Sequence, residues 1–437
     1  MQPGHKHSLC IEKLDDSAVG VGTLEGYEVR VPHVFPGERV QIRIDHVARH
    51  GRKLFATATA IDVAHPQRRT APCPSHSENP GGTCCGCPLM TLHPPAQAAM
   101  KRRWLAEAHE LVVDDLIDVQ GGNDGYRWSS KRIVSGRPGA LVLGSYVKGT
   151  HKVADMLACA VDHPALVACL DELRREANAL RIEPYDETTR SGDLRYLWLK
   201  TDGAKVLLTL LTASRDSRAA LELPAKLKRP AGLWWSVQEE AGNSLRGAHP
   251  RHLAGDETLA VDLCGSTMQV GPLGFLQPNP RGIERAYADL VCDLAGERLS
   301  GTRAFDLYAG AGVTTELLKQ RFQHVHPCEL YPESAAALGV PPLRAEIFLG
   351  ARPPGEPVDL VVANPPRSGL GTATCEALAA IAPRRIHIMS CHAKSLARDL
   401  AMLEASGYHR VGARAYDTLP QTAHVEVVAW LQLASMR

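Results

Sequence analysis

Hydrophobic and polar residues alternate with a period of two in short segments near the start of the chain, such as residues 26–31 and 38–44. Alternation of this kind is typical of half-buried strands, and Gly and Pro turns separate the segments. We therefore predict a small all-β unit, folded as a barrel, over residues 1–65. The next stretch, residues 66–95, is rich in Pro, Gly and Cys. Its irregularity predicts a loop that something must hold in place.

A helical pattern opens near Ala96, and mixed strand and helix patterns follow it. The apolar runs at 140–143, 205–211 and 232–237 predict strands. We therefore expect residues 66–270 to combine the cysteine-rich loop with a central α+β domain.

The hydrophobic pattern of the sequence changes near Gly301, where apolar strand segments begin to alternate with helical segments. This alternation predicts a largely parallel sheet, so we expect an α/β, Rossmann-like domain over residues 271–437 and a multidomain chain. The predicted strands are 304–308, 324–330, 359–363 and 385–389, and the predicted helices are 313–321, 372–382 and 394–405.

Composition narrows the classes of protein. The 437 residues carry 49 Lys and Arg against 48 Asp and Glu, and 44% of them are hydrophobic, which excludes a fibre, a disulfide scaffold and a disordered chain. No apolar run approaches the roughly 18 to 20 residues of a membrane helix, and the start lacks the apolar stretch of a signal peptide. We expect a cytoplasmic monomer. In that reducing compartment the 12 Cys must be buried thiols, metal ligands or nucleophiles.

Basic residues gather in two stretches. Residues 43–69 have a local excess of four positive charges, and residues 127–152 have an excess of six with no acidic residue. Two such stretches beside a small barrel favour a surface that follows a phosphate backbone over a merely solvated face. The basic residues of the second stretch are Arg127, Lys131, Arg132, Arg137, Lys148 and Lys152.

The strand-to-helix turn at 306–312 has the features of a cofactor loop. Gly310 and Gly312 allow a tight turn, and the helix start offers free N–H groups to an anionic ligand. Glu329 lies 17 residues after Gly312, near the end of the next strand, where it can accept from ribose hydroxyls. Thr315 occupies the position of the third glycine of a dinucleotide motif. S-adenosylmethionine therefore fits this loop better than NAD.

Cys391 lies between a predicted strand and a predicted helix. A thiol there is near the positive end of the helix dipole, which lowers its pKa. Ligands bind at the carboxyl ends of strands in open α/β sheets, which favours a nucleophile over a buried structural thiol. Two prolines stiffen the turn after Asn364, as suits the wall of a pocket for a flat base. Glu426 enters an otherwise apolar strand, where burial would raise its pKa and make it a base.

Together these motifs resemble the RNA uracil C5-methyltransferases that make 5-methyluridine, in the branch with an iron–sulfur cluster and an N-terminal TRAM barrel. The resemblance covers nearly the whole chain and includes residues 7–61, 274–279, 306–312, 364–369, 390–400 and 419–426. It implies that the Cys391 thiolate adds to C6 of uracil and that Glu426 removes the C5 proton. It implies that Gln277, Tyr308, Gly310, Glu329 and Asn364 hold the methyl donor or frame the site. The target base must leave its stack, which favours loops or single-stranded RNA of ribosomal or transfer RNA.

The cysteine loop contains Cys84-x-x-Cys87, which has metal-ligand spacing. Spacing alone leaves an iron–sulfur cluster and tetrahedral zinc both open. The resemblance favours a 4Fe-4S cluster and implies Cys73 and Cys159 as the remaining ligands. Cys85 stands beside these ligands, so the choice between Cys84 and Cys85 stays open. We expect the cluster to fold the loop and shape the RNA surface.

The chain departs from the family at Asn364, where an Asp is usual, and at Gly350-Ala351, where an acidic adenine contact is expected. An amide donates as well as accepts, so contacts to the base or donor change. One alternative is therefore a cluster-bearing RNA-binding protein whose methyltransferase domain is weakened or has a different acceptor. Another is an N-methyltransferase. The presence of Cys391 and Glu426 argues against both, because neither function needs them.

Overall fold

The computed structural model describes residues 1–117, 122–147, 149–240, 245, 247–351 and 356–434. Contacts between residues divide the chain into two compact units. The first unit contains Met1–Arg68, Leu92–Gln120 and Gly282–Arg437, and the second contains Arg69–Thr91 and Gly121–Arg281. The division at 1–65, 66–270 and 271–437 stays a prediction.

Strands outnumber helices in the part of the chain that the structure describes. The strands are β1 (Lys6–Cys10), β2 (Lys13–Leu14), β3 (Gly20–Leu24), β4 (Tyr27–Val31), β5 (Arg39–Val47), β6 (Lys53–Val63), β7 (Asp115–Ile117), β8 (Ser129–Arg137), β9 (Ala140–Tyr146), β10 (Val153–Asp155), β11 (Leu194–Thr201), β12 (Val206–Thr212), β13 (Gly232–Val237), β14 (Ala248–Gly255), β15 (Leu259–Leu263), β16 (Ser266–Val270), β17 (Gly301–Leu307), β18 (Phe322–Cys328), β19 (Leu360–Ala363), β20 (Arg385–Ser390), β21 (Tyr408–Tyr416) and β22 (Glu426–Leu433). The helices are α1 (Pro94–His109), α2 (Pro164–Ala179), α3 (Arg218–Glu222), α4 (Pro280–Leu290), α5 (Val313–Lys319), α6 (Pro332–Ala337), α7 (Ala345–Gly350), α8 (Gly371–Ile381) and α9 (Ala393–Ala405), and a short 3-10 helix spans Leu223–Ala225.

The start of the first unit is a six-stranded sheet in the order β1-β5-β6-β4-β3-β2. The alternation predicted from the sequence is present, since Val40, Ile42 and Ile44 of β5 are buried while their neighbours are not. These side chains pack in one apolar core with Val29 and Leu54. The predicted all-β unit is therefore a sheet curled over its own core.

The rest of the first unit is a seven-stranded sheet in the order β18-β17-β19-β20-β22-β21-β7. Strands β18, β17, β19 and β20 are parallel, as predicted, and β22 then runs antiparallel to β20. The central strand β19 is buried along its full length, which explains its unbroken apolar sequence. The carboxyl ends of the parallel strands all lie along one edge of this sheet.

The second unit has a seven-stranded sheet in the order β10-β9-β8-β11-β12-β13-β14 and a β15-β16 hairpin. Every residue of β11 and β12 is buried. Helix α2 covers them through Leu166, Leu170 and Leu173, which belong to the same apolar core. The strands predicted at 140–143, 205–211 and 232–237 are confirmed as β9, β12 and β13.

The cysteine-rich loop of the second unit is held by side chains rather than by regular structure. Asn79 Nδ2 donates to the carbonyls of Ala71 and Cys73, each at 2.8 Å. The His76 ring is buried, and its Nε2 lies 3.2 Å from the Cys87 carbonyl oxygen. The predicted irregular loop is therefore ordered by its own polar groups.

None of the helices among the described residues combines the length and the hydrophobicity that a membrane span requires.

Candidate active site

The turn after β17 opens one side of its backbone to a ligand. Tyr308, Gly310 and Gly312 all have positive φ angles, of 60°, 56° and 84°. A Cβ added to Gly310 would meet only the Tyr308 carbonyl oxygen, 4.0 Å away, so open space faces this glycine. Gly312 is the N-cap of α5. The backbone therefore turns sharply and leaves room for a ligand at the end of the strand.

Glu329 lies beside this turn, as the sequence predicts for a ribose-binding carboxylate. The Gly310 N–H donates to Glu329 Oε2 at 2.8 Å, and the Tyr331 N–H donates to Oε1 at 2.7 Å. Each carboxylate oxygen keeps a second lone pair for a further hydrogen bond. Behind the turn, Asp306 is buried and accepts from Thr315 Oγ1 at 2.5 Å. Its burial raises its pKa to about 7.

Asn364 and Tyr308 come together because they end adjacent parallel strands. The Asn364 N–H donates to the carbonyl of Leu307 at 3.3 Å. Tyr308 Oη lies 3.5 Å from Thr374 Oγ1, and burial raises the pKa of this phenol. The edge of the sheet therefore carries the glycine turn, Glu329 and Asn364 side by side.

Strand register brings Cys391 and Glu426 together. Ser390, the last residue of β20, is opposite Val427 in the antiparallel strand β22. Cys391 directly follows Ser390, and Glu426 directly precedes Val427. The charge of Glu426 acts on the Cys391 thiol, which agrees with this adjacency. The two predicted catalytic side chains therefore share one end of the sheet.

The electrostatics of this pair differ from the sequence expectation in one respect. Burial and the negative charge of Glu426 raise the pKa of the Cys391 thiol. The lower thiol pKa expected from the helix dipole is therefore wrong for the chain without its ligands. Desolvation of the thiolate outweighs the favourable groups around it. Burial also raises the pKa of Glu426, to about 7, as expected for a base in an apolar strand.

Arg367 opposes both shifts and was not identified from the sequence. Its positive charge lowers the pKa of both Cys391 and Glu426. Ser395 Oγ donates to the Arg367 carbonyl at 3.0 Å, and His392 Nδ1 lies 3.0 Å from the same hydroxyl. The helix start at α9 thus fixes the turn that carries the guanidinium.

Helix α1 anchors the segment that leads into Glu426, a role that the sequence did not reveal. Lys101 Nζ is buried and donates to Asp417 Oδ1 at 2.6 Å and to the His424 carbonyl at 3.3 Å. Gln97 Nε2 donates to Gln421 Oε1 at 2.8 Å, and the Gln421 N–H donates back to Gln97 Oε1 at 3.0 Å. These contacts fix the backbone immediately before β22.

Gln277 belongs to the second unit and follows β16. Its neighbour Leu276 is buried, Phe275 is 76% exposed, and the Pro278 carbonyl accepts from the Trp128 N–H at 2.6 Å. The segment therefore has one anchored face and one exposed ring. The role of Gln277 toward a methyl donor stays a prediction.

The predicted metal ligands share one electrostatic neighbourhood in the second unit. The charges of Cys159, Cys84 and Cys73 raise the pKa of the Cys87 thiol. The charge of Cys73 likewise raises the pKa of the Cys84 thiol. Burial raises the pKa of Cys87 strongly and that of Cys159 to about 11. Among the described residues, no group of three or more His, Cys, Asp or Glu side chains is close enough to hold a single metal ion.

A backbone donor faces one of these sulfurs, since the Gly86 N–H donates to Cys84 Sγ at 3.5 Å. The Asp162 N–H donates to the Cys159 carbonyl oxygen at 3.3 Å, which fixes the turn that carries this cysteine. Cys85 Sγ instead lies 3.7 Å from the Thr83 carbonyl. Hydrogen bonds to sulfur are typical of iron–sulfur ligands. The four predicted ligands are all thiols, which is the donor type that holds iron–sulfur clusters.

One residue of the second basic stretch, Arg132, lies in the interior and not on the surface that the sequence predicts. Arg132 is 3% exposed and pairs with Asp162, and Arg127 Nε lies 3.9 Å from the same carboxylate. Lys131 Nζ lies 3.8 Å from the centre of the Trp198 ring. Lys148 lies outside the described residues. Lys131, Arg137 and Lys152 are exposed, as are four residues of the first stretch: Arg43, Arg49, Arg52 and Lys53.

The sequence matches no protein-family model. It is 29% identical to an uncharacterized RNA methyltransferase of Geobacter sulfurreducens, covering 97% of this chain and 89% of the relative. It is 26% identical to an uncharacterized RNA methyltransferase of Halalkalibacterium halodurans, covering 97% and 96%. The fold is similar to that of the Pyrococcus abyssi tRNA (uracil-54, C5)-methyltransferase in complex with S-adenosyl-L-homocysteine, with a TM-score of 0.75, 21% identity and coverage of 97% and 100%. The two relatives are named as the class of enzyme that the sequence predicts, and the likeness to the Pyrococcus abyssi structure shows a shared fold.

Proposed function

We propose that this relative of RNA methyltransferases transfers a methyl group from S-adenosylmethionine to C5 of a uridine in RNA. The observation that carries the proposal is the proximity of Cys391 and Glu426, which flank the last β20–β22 pair, with the charge of Arg367 acting on both. A nucleophile and a base so placed are what C5 methylation needs, because C5 of uracil is itself a poor nucleophile. Transfer to an amino group would need no thiol.

The first step is addition of the Cys391 thiolate to C6 of the uracil ring. The electron pair of the C5–C6 double bond moves toward the C4 carbonyl and makes an enolate. Arg367 favours the thiolate by its positive charge, against the burial that opposes it. C5 of the enolate then attacks the methyl carbon of the donor, and the carbon–sulfur bond of the donor breaks.

Glu426 accepts the C5 proton in the second step. The electron pair of the C5–H bond re-forms the C5–C6 double bond and expels the Cys391 thiolate from C6. A carboxyl with a pKa of about 7 is ionised in part at neutral pH and still binds a proton well. A base of this kind is most effective near the working pH. The register that brings Glu426 close to Cys391 therefore serves elimination as well as addition.

The donor-binding groups in this proposal are the glycine turn, Glu329, Tyr308 and Asn364. Glu329 is held by the Gly310 N–H at 2.8 Å, which pre-orients its oxygens for ribose hydroxyls. Asn364 ends the strand next to this turn. Its amide offers a donor to the base or to the methyl donor where a carboxylate would only accept.

The RNA surface in this proposal includes the exposed Arg43, Arg49, Arg52 and Lys53 of the N-terminal sheet, which we interpret as a TRAM domain. Exposed cations contribute affinity by displacing counterions from phosphates. The target uridine has to leave its stack to reach Cys391 at a sheet edge, so we expect a loop or single-stranded region of ribosomal or transfer RNA.

The cysteine centre in this proposal is a 4Fe-4S cluster held by Cys73, Cys84, Cys87 and Cys159. Support comes from the electrostatic effect of Cys159, Cys84 and Cys73 on the Cys87 thiol and from the Gly86 N–H, which donates to Cys84 Sγ at 3.5 Å. A bound cluster would link the loop to the segment before α2 and so order the second unit. Binding would also release the thiol protons that burial retains in the chain alone.

Methylation of RNA transcripts, followed by nucleoside mass spectrometry, tests the proposal. The full chain, RNA and S-adenosylmethionine should yield 5-methyluridine, and Cys391→Ala should yield none. Cys10→Ala is the matched control because Cys10 is exposed and lies in β1. Methyl groups found only on amino nitrogens, or 5-methyluridine made equally by Cys391→Ala, would contradict the proposal.

A further inference from the structure

Arg132 in β8 is a buried cation with an unsatisfied donor. Its side chain is 3% exposed. Nη1 donates to Ser130 Oγ at 2.6 Å and to the Lys131 carbonyl at 3.0 Å, and Nη2 pairs with Asp162. Among the described atoms, however, its buried Nε has no hydrogen-bond partner. A buried donor left unpaired costs about 1–3 kcal/mol, so its presence points to an acceptor that the protein itself does not supply.

The groups around Arg132 identify where that acceptor belongs. The guanidinium acts electrostatically on the thiols of Cys84 and Cys159, two of the four proposed cluster ligands. Its partner Asp162 lies three residues after Cys159, and the Asp162 N–H donates to the Cys159 carbonyl oxygen at 3.3 Å. Arg127, which lies 3.9 Å from Asp162, acts in the same way on Cys87. A buried cation, its counter-ion and a second arginine therefore all adjoin the cysteine centre.

We propose that Arg132 tunes the cysteine centre by directing its positive charge and its Nε–H toward a bound iron–sulfur cluster, with Asp162 holding the guanidinium in place. The inference rests on the cluster assignment under Proposed function. Bridging sulfides and thiolates accept hydrogen bonds, and such bonds together with the net charge nearby set the reduction potential of a cluster. A four-thiolate zinc site has no bridging sulfide and no redox change at the metal.

Opposite shifts follow from the two charges of the pair. Reduction adds one electron to a centre that is already anionic, so a nearby cation stabilises the reduced form and a nearby anion destabilises it. Arg132→Gln should therefore lower the reduction potential. Asp162→Asn should raise it, because the Arg132 charge is then no longer compensated. A residue that served only to hold the fold would not give shifts of opposite sign.

The test is an anaerobic redox titration of the full chain, reconstituted with iron and sulfide, against dithionite with mediator dyes. Visible absorbance follows the one-electron reduction of the cluster. We expect each variant to change the reduction equilibrium at least tenfold, which is about 59 mV for one electron. Arg137→Gln is the matched control, since Arg137 ends the same strand at an exposed position, and it should leave the potential unchanged.

The outcomes separate this inference from the function it rests on. A cluster present in all variants with unchanged potentials, or with both shifts in the same direction, overturns the role of Arg132 alone. A reconstituted chain without iron, sulfide or visible absorbance overturns the cluster and this inference, while 5-methyluridine formation still decides the catalytic proposal. If Arg132→Gln does not fold, the sign of the Asp162→Asn shift decides.

Discussion

Replacing Lys101 by Met should destabilise the first unit severely. Lys101 and Asp417 have side chains only 2% and 6% exposed, and Nζ lies 2.6 Å from Oδ1. Lys101 also donates to the carbonyls of Leu419 and His424, at 3.5 and 3.3 Å. Met fills a similar volume but leaves the Asp417 charge buried without this partner. Removing one member of a buried ion pair costs about 3–5 kcal/mol of the free energy of unfolding.

Urea unfolding of the full chain, followed by circular dichroism, measures this cost. The matched control is Arg103→Met in the same helix, because Arg103 pairs with Glu107 at 2.7 Å with both side chains more than half exposed. An exposed pair at this spacing contributes only about 0.3–0.5 kcal/mol. Adding Asp417→Asn to Lys101→Met removes the buried carboxylate charge, so the double variant should recover part of the lost free energy of unfolding. Equal losses for Lys101→Met and Arg103→Met would refute the reasoning.

Three further predictions concern the site itself. Arg367→Gln removes the cation that lowers the pKa of the thiol and of Glu426, so the pH–rate profile should move to higher pH by about one pH unit; an unmoved profile would contradict this. The pKa of Glu426 is about 7 in the folded chain and 4.5 in its ordinary state, so its contribution to stability is complete below pH 4.5 and is lost as pH rises through 7. Glu426→Gln should therefore be more stable than the wild type by about 3 kcal/mol at pH 8 and equal to it near pH 4, as measured by urea unfolding at both pH values; a difference that does not vary with pH would exclude this. Glu329→Ala should weaken binding of S-adenosylhomocysteine at least tenfold in calorimetry, because a charged acceptor contributes about 1.5–3 kcal/mol, and unchanged affinity would remove Glu329 from the donor site.

The parallel part of the fold follows from local sequence because each of its strands is a short apolar run bounded by a turn. Strands β17, β19 and β20 begin or end within three residues of their predicted limits. The edge strand β7 was not predicted, since its three residues carry no periodic signal. Its pairing with β21, about 300 positions later in the sequence, depends on contacts that no local window contains.

The candidate site likewise contains one residue that has a local sequence signal and others that only the folded sheet brings together. Cys391 was identified because its position between a strand and a helix is a local property. The proximity of Glu426 depends on the antiparallel register of β20 and β22, which only the folded sheet defines. Arg367 was overlooked because a basic residue after two prolines gives no local sign of the thiol it reaches.

Charge counting gave the least reliable expectation. The stretch 127–152 contains no acidic residue, so all its basic residues were assigned to a surface. Asp162 lies ten positions beyond the stretch and pairs with Arg132 in the interior. A count along the sequence cannot register a partner that arrives from a neighbouring segment through folding.

Trapping with RNA that contains 5-fluorouracil tests the central claim, covalent C5 methylation through Cys391, most directly. Fluorine at C5 cannot leave as the proton does, so elimination stops after the thiol has added and the methyl group has been transferred. With S-adenosylmethionine present, the wild-type chain should form an adduct with this RNA that survives denaturing electrophoresis, and mass spectrometry should locate it on Cys391. Cys391→Ala should form none. A wild-type chain that methylates ordinary RNA yet forms no adduct, or an adduct that persists in Cys391→Ala, would contradict the account.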